Sequence, residues 1–278
     1  MPQVIVTNSI DSGGSRPRHA KTTSNNLAFR LPGVRISRRA AFCTHTRAAA
    51  KATRAAMILC IGDVLNASAL QRMRAILAGA SFEDGRATAG LAARLVKNNL
   101  QLALGTPVHQ EMTRTVLEAL GASTALQAAA LPRSYRPPLL SRYESGMAYG
   151  AHVDEGLMGQ PPVRADLSYT LFLSAPEEYE GGELVLMDAP GERRFKLPAG
   201  ALLVYPSTSL HRVETVRTGT RTVVVGWIQS VCRLDEQREI LFDLHRLMCG
   251  EFEARGKSDA FDVLAKTRAN LLRLFAEA

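Results

Sequence analysis

The sequence has no long apolar run. Nothing approaches the ~18 residues that a membrane-spanning helix needs, so no segment is built to cross a bilayer. Its four cysteines (Cys43, Cys60, Cys232 and Cys249) are scattered and form no Cys-x-x-Cys pair, which suits free thiols in a reducing compartment. After residue 56 there is neither an internal repeat nor a low-complexity tract. Acidic residues are nearly missing from the first fifth of the chain. Residues 1–56 hold ten Lys+Arg against the single acid Asp11, a net +9, which leaves 24 basic and 25 acidic residues, a net −1, for 57–278. The overall +8 therefore belongs to the leader. The near-neutral remainder gives no electrostatic footprint for nucleic acid.

The leader is rich in Ser, Thr, Arg and Ala and lacks sustained apolar periodicity, so 1–56 reads as disordered. It also lacks the apolar centre of a secretory signal. Arg-rich and acid-poor, it is like an organellar transit peptide. The plainer alternative is a true start at Met57, where Met57-Ile58-Leu59-Cys60-Ile61 opens strand-like sequence.

From Asn66 the pattern turns helical. Asn66 is a fitting N-cap, Leu70, Met73, Ile76 and Leu77 share a face, and Gly79 is a stop. A second helix begins at Thr106-Pro107, lines up Val108, Met112, Val116 and Leu120, and ends at Gly121. Helices are thus expected through 66–131. After Pro132 the segments Leu139–Tyr143, Leu167–Leu173, Glu183–Met187, Ala201–Tyr205, His211–Val216 and Arg221–Ser230 are short and β-rich, with turn signals between them. They predict a β-roll over 132–231. The tail, 232–278, returns to helix. Ile240, Leu241, Leu244, Leu247 and Met248 share one face, and Ser258 caps a last helix carrying Phe261, Leu264, Leu271 and Leu274. The tail either packs on the roll or forms a dimer face. The expected class is α+β with a mainly β core.

The chemistry concentrates in Tyr149-Gly-Ala-His-Val-Asp154. On a strand His152 and Asp154 point to one side. A third ligand is expected from His211, at the start of another strand, and Arg221 stands ten positions beyond it. Each feature alone is weak. Surface strands carry His-x-Asp by chance, and a lone His or Arg is usually solvated. Together, two imidazoles, one carboxylate and a distal arginine are the parts of a non-haem Fe(II) oxygenase that uses a keto acid. Such a ligand set leaves adjacent positions open, whereas zinc prefers closed tetrahedral sites. A guanidinium pairs with a carboxylate through two parallel hydrogen bonds. With Val223, Val225 and Trp227 on its side of the strand, Arg221 would serve the far end of 2-oxoglutarate in an apolar setting. Of six histidines, His19 and His45 lie in the leader, and His109 and His245 read as helix-surface residues.

Many runs besides these resemble one family in one order. They include Asp84-Gly85-Arg86-Ala87-Thr88-Ala89-Gly90, Val96-Lys97-Asn98-Asn99-Leu100-Gln101-Leu102, Arg142-Tyr143-Glu144, His152-Val153-Asp154, Asp166-Leu167-Ser168, Tyr179-Glu180-Gly181-Gly182-Glu183-Leu184, Ser209-Leu210-His211-Arg212-Val213 and Trp227-Ile228-Gln229-Ser230. From about Met57 to about Leu247 the chain resembles the PKHD-type hydroxylases, bacterial dioxygenases akin to prolyl 4-hydroxylases. The resemblance implies a double-stranded β-helix (jelly roll) over 57–231, with supporting N-terminal helices and the C-terminal tail. It also implies Fe(II) on His152, Asp154 and His211, 2-oxoglutarate on Arg221, L-ascorbate as reductant, and O₂ and an unidentified substrate as partners. A protein side chain and a small molecule both fit as substrate. Cytoplasmic location is expected ahead of organellar targeting, with no membrane or nucleic-acid partner and a homo-oligomer open through the C-terminal helices. Ser141 and Ser145 depart from the family's Asn and Gly, and Glu155-Gly156-Leu157 follows the metal motif, so the loop that meets substrate is altered. Tyr143 and Tyr149 are candidates to touch co-substrate or substrate. Lys97, Asn98, Asn99 and Gln229 are further candidates to face substrate, and Trp227 reads as core. Two rivals remain: a non-catalytic sensor on the same fold, and a cupin-like metalloenzyme without a keto acid.

Overall fold

The computed structural model describes residues 4–6, 57–188 and 191–277. Most of the leader, including Cys43, His19 and His45, lies outside these, as does its expected disorder. Val4–Val6 is the exception: it forms an edge strand antiparallel to Leu59–Ile61.

Two antiparallel sheets form the centre. The larger runs in the order Val4–Val6, Leu59–Ile61, Leu202–Pro206, Leu167–Phe172, Arg221–Ser230, Leu139–Tyr143, Leu100–Leu102, Phe82–Asp84, and Pro132–Tyr135 joins the far end of Arg221–Ser230. The smaller runs Gly191–Phe195, Leu184–Asp188, Leu210–Val213, Ala148–His152, Lys97–Asn98. Strand alternation gives the large sheet two apolar faces. One face, with Leu167, Leu171, Val224 and Ile228, packs on Met73, Met112, Val116, Leu120 and Leu126 of the helices Ala67–Ala78, Pro107–Ala122 and Thr124–Ala130. The other, with Tyr143, Phe172, Leu203 and Val223, meets Leu184, Leu186 and Val213 of the small sheet. The layers are therefore helices, large sheet, small sheet. Each such side chain taken from water contributes about 1.5–3 kcal/mol.

The helix starts follow their caps. Asn66 accepts from Ala69 N, Thr106 from His109 N, and Ser258 from Phe261 N. The span 66–131 is not purely helical, because Phe82–Asp84, Lys97–Asn98 and Leu100–Leu102 are strands. Strands of two or three residues are too short to show a period. They matter here, because the chain crosses from the small sheet to the large one at Asn99. His109 is also buried, with Nε2 3.2 Å from the carbonyl oxygen of Pro138. Its spacing to Met112, Val116 and Leu120 puts it on the apolar face. The tail helix Asp235–Arg255 packs on Thr124–Ala130 and pairs with Asp259–Phe275. Arg238 pins its first turn, buried to 1% exposure and donating to the carbonyls of Cys232 and Arg233.

Candidate metal centre

His152 closes the strand Ala148–His152, and His211 stands directly opposite it on Leu210–Val213. Cross-strand partners point to the same face, here the face turned to the large sheet. Asp154 lies just past the strand's end rather than within it. Its carboxylate still converges: ligand atoms of His152, Asp154 and His211 all lie within 4.8 Å of one another, a spacing that one ion can bridge. His211 Nε2 is 3.9 Å from Asp154 Oδ2.

Each candidate ligand is held from behind. His152 Nδ1 donates to Gly150 O at 2.8 Å, and His211 Nδ1 donates to Ser209 O at 3.0 Å. A proton on Nδ1 leaves Nε2 as a free lone pair, which is what a metal needs. Burial, with His211 adding to it, pulls the His152 pKa down to about 4, so this imidazole is neutral near pH 7. Tyr149 stacks on the His152 ring at 3.7 Å, and Tyr205 meets the His211 ring edge-on at 5.3 Å. Asp154 is steered from the other sheet, where Ser168 Oγ donates to Oδ2 at 2.6 Å. Ser168 has only one proton, so Ser207 Oγ, 2.8 Å away, is the donor in their pair.

Arg221 opens the strand Arg221–Ser230 opposite Tyr143, with 1% of its surface exposed. Its Nε and Nη1 have no hydrogen-bond partner, and among the described residues no carboxylate lies within ion-pair distance. The Tyr143 and Phe172 rings, 5.0 and 5.7 Å away, give part of the balance. A buried cation without a counter-charge costs several kcal/mol. The orphaned guanidinium therefore fits an anion such as the distal carboxylate of 2-oxoglutarate. Gly182 makes room for it: at φ +66, a Cβ there would sit 3.1 Å from both Arg221 Cδ and Tyr179 Cε2.

The triad and Arg221 open into one cavity of about 510 Å³ between the sheets, within the usual range for a ligand site. Tyr143, Tyr149 and Lys97 also line it. So does Trp227, which stands in the wall rather than in the core. Asn98 and Gln229 do not line it. Asn98 is exposed, with Nδ2 3.5 Å from Gly146 O. Gln229 shares Arg221's side of the strand, but a ten-residue strand outruns the cavity, and Gln229 accepts instead from Ser134 Oγ. Asn99 is buried beneath Gly85 at the sheet crossing, outside the cavity. Sequence reasoning missed Ser168, Ser207, Gln101 and Arg136. Ser168 had a signal: Leu167–Phe172 is buried on both faces, yet two hydroxyls, Ser168 and Thr170, share one of them.

The family description "2OG-Fe(II) oxygenase superfamily" matches residues 138–229, a span that contains the triad and Arg221. A PKHD-type hydroxylase of Synechococcus sp. is 48% identical over 223 residues, covering 80% of this chain and all of that protein. One from Rippkaea orientalis is 50% identical over 218 residues, 78% of this chain and 98% of that protein. Among solved structures, a prolyl-4-hydroxylase from Pseudomonas putida aligns with TM-score 0.45 and 17% identity, covering 62% of this chain and 92% of that one.

Proposed function

The chain belongs to the PKHD-type hydroxylases of the 2OG-Fe(II) oxygenase superfamily and is an Fe(II)- and 2-oxoglutarate-dependent dioxygenase; from that premise we propose that His152, Asp154 and His211 hold the iron and that Arg221 receives the distal carboxylate of 2-oxoglutarate. The observation that carries this is the orphaned Arg221 guanidinium, buried in the same cavity as three converging ligands. When bound, the iron and keto acid supply O₂ activation, turning a substrate C–H bond into C–OH with release of succinate and CO₂.

The protein's own residues do the placing. Gly150 O and Ser209 O fix which imidazole nitrogens face the ion, and Ser168 fixes the carboxylate. Arg221 would anchor the co-substrate's distal carboxylate, with Val225 and Trp227 as apolar wall in the same cavity. Tyr143, opposite Arg221, is placed to shape the same pocket. L-ascorbate is the proposed reductant. We read the two facing sheets as a double-stranded β-helix, with 57–231 as the catalytic domain, 232–278 as a packed helical tail, and the bacterial cytoplasm as its setting.

Arg221→Ala tests the assignment. We expect 2-oxoglutarate affinity to fall by at least ~30-fold, since losing one partner of a buried charge pair costs about 2–5 kcal/mol. Fe(II) affinity should change far less. Calorimetric titration of each ligand measures both, and an unchanged 2-oxoglutarate affinity would refute the role of Arg221.

A further inference from the structure

Five charged side chains line the cavity: Lys97, Arg136, Arg221, Asp154 and Glu155. In the proposed site Asp154 is committed to the ion and Arg221 to 2-oxoglutarate. Glu155 is exposed at the mouth, where its carboxylate would lie 2.4 Å from a Cβ added at Gly90. A divalent ion and a dianionic co-substrate cancel one another. Lys97 and Arg136 are then left over against the one remaining carboxylate, Glu155, a net +1, and among the described residues no carboxylate stands within ion-pair distance of either cation.

Lys97 is the more unusual of the two. It is 5% exposed on the inner edge of the small sheet. Its ammonium donates to the Thr88 hydroxyl at 3.1 Å and lies 5.3 Å from the Tyr149 ring centroid. Thr88 is neutral and takes one of three donors. Burial pulls the Lys97 pKa down to about 8 despite the fields of Asp154 and Asp84, as expected of a cation that lacks a close counter-charge. From the large sheet, Leu139, Val225 and Trp227 give the cavity an apolar stretch of wall.

Resting on the dioxygenase reading above, we infer that the substrate is an anion whose charged group is received by Lys97, with Arg136 adding a second positive charge elsewhere on the cavity wall, and whose apolar body lies along Leu139, Val225 and Trp227. This narrows the substrate to molecules or segments with a carboxylate or phosphate close to an aliphatic or aromatic body.

The test compares three probes of one chain length: hexanoate, hexyl phosphate and hexanamide. Each is titrated by calorimetry into the anaerobic protein with Fe(II) and 2-oxoglutarate, whose own binding is measured first. Failure of that first binding would overturn the dioxygenase reading, while the comparison of anion with amide still runs on the same cavity. We expect at least one anion to bind ~10-fold or more tighter than the amide, and the stronger anion identifies the charged group. Lys97→Met should weaken that anion by ~10-fold, Arg136→Gln should weaken it less, and both should leave the amide unchanged. Equal binding of amide and anions, or no anion binding at millimolar concentration, overturns the inference. So does a Lys97→Met loss that falls as heavily on 2-oxoglutarate, which would place Lys97 on the co-substrate.

Discussion

Ser168 does for Asp154 what Gly150 and Ser209 do for the two histidines: it orients a ligand from behind through one hydrogen bond. Groups behind metal ligands typically set 10–100-fold in metal affinity. Ser168→Ala should therefore weaken binding of Fe(II), or of redox-inert Mn(II), by ~10-fold or more, read by metal titration. An unaltered affinity would show that Asp154 is held by its own loop. Lys97 gives a pH signature. Its folded pKa of about 8 lies below the ~10.4 of an unfolded lysine. Between those values the unfolded chain holds more protons, so the metal-free protein gains stability from this group as pH rises through that window. Below about 8 both states are protonated and the contribution is flat. The wild-type stability minus that of Lys97→Met, followed by chemical denaturation, should rise across the window. At this scale the sequence singled out four side chains that converge on one cavity, His152, Asp154, His211 and Arg221, because residue type and spacing can be read directly. It hid Arg136, because a lone arginine carries no mark of what it faces, whereas Ser168 was marked only by sharing one face of an otherwise apolar strand with Thr170.

Caps and long strands were legible at the scale of elements, and short strands were not. Asn66, Thr106-Pro107 and Ser258 each start the helix their side chains announce, and Arg221–Ser230 runs as its alternation predicts. Lys97–Asn98 and Leu100–Leu102 have no period to read, yet they carry Lys97 and Gln101 to the cavity wall from different sheets. His109 was misjudged because polarity outweighed its spacing to Met112. Two substitutions probe the elements. Asn66→Ala should cost about 1 kcal/mol. Arg238→Met should cost about 3 kcal/mol, since it leaves Asp235 without its ion-pair partner and the carbonyls of Cys232 and Arg233 without a donor at the root of the tail. Denaturant unfolding measures both. A neutral Arg238→Met would mean that the apolar contacts of Leu241 and Phe242 alone dock the tail.

Across the described residues from 57 onward, three layers bring two sheets together, so that one presents the candidate ligands His152 and His211 and the other presents Arg221. The run of short β segments after Pro132 pointed to an antiparallel β core with helices on either side in sequence, but not to the layering. The cavity between the sheets followed only from how they face each other, and with it came the leftover cations that point to an anionic substrate. The central claim is that this cavity binds Fe(II) and 2-oxoglutarate together and turns them over. One anaerobic experiment tests it: add Fe(II), then 2-oxoglutarate, follow the visible absorbance, admit O₂ and assay succinate. The account predicts a weak charge-transfer band that needs both additions, then slow succinate release, with both lost in Arg221→Ala. Iron bound without a band, and no succinate after O₂, would contradict it and favour a metal-binding sensor on the same fold.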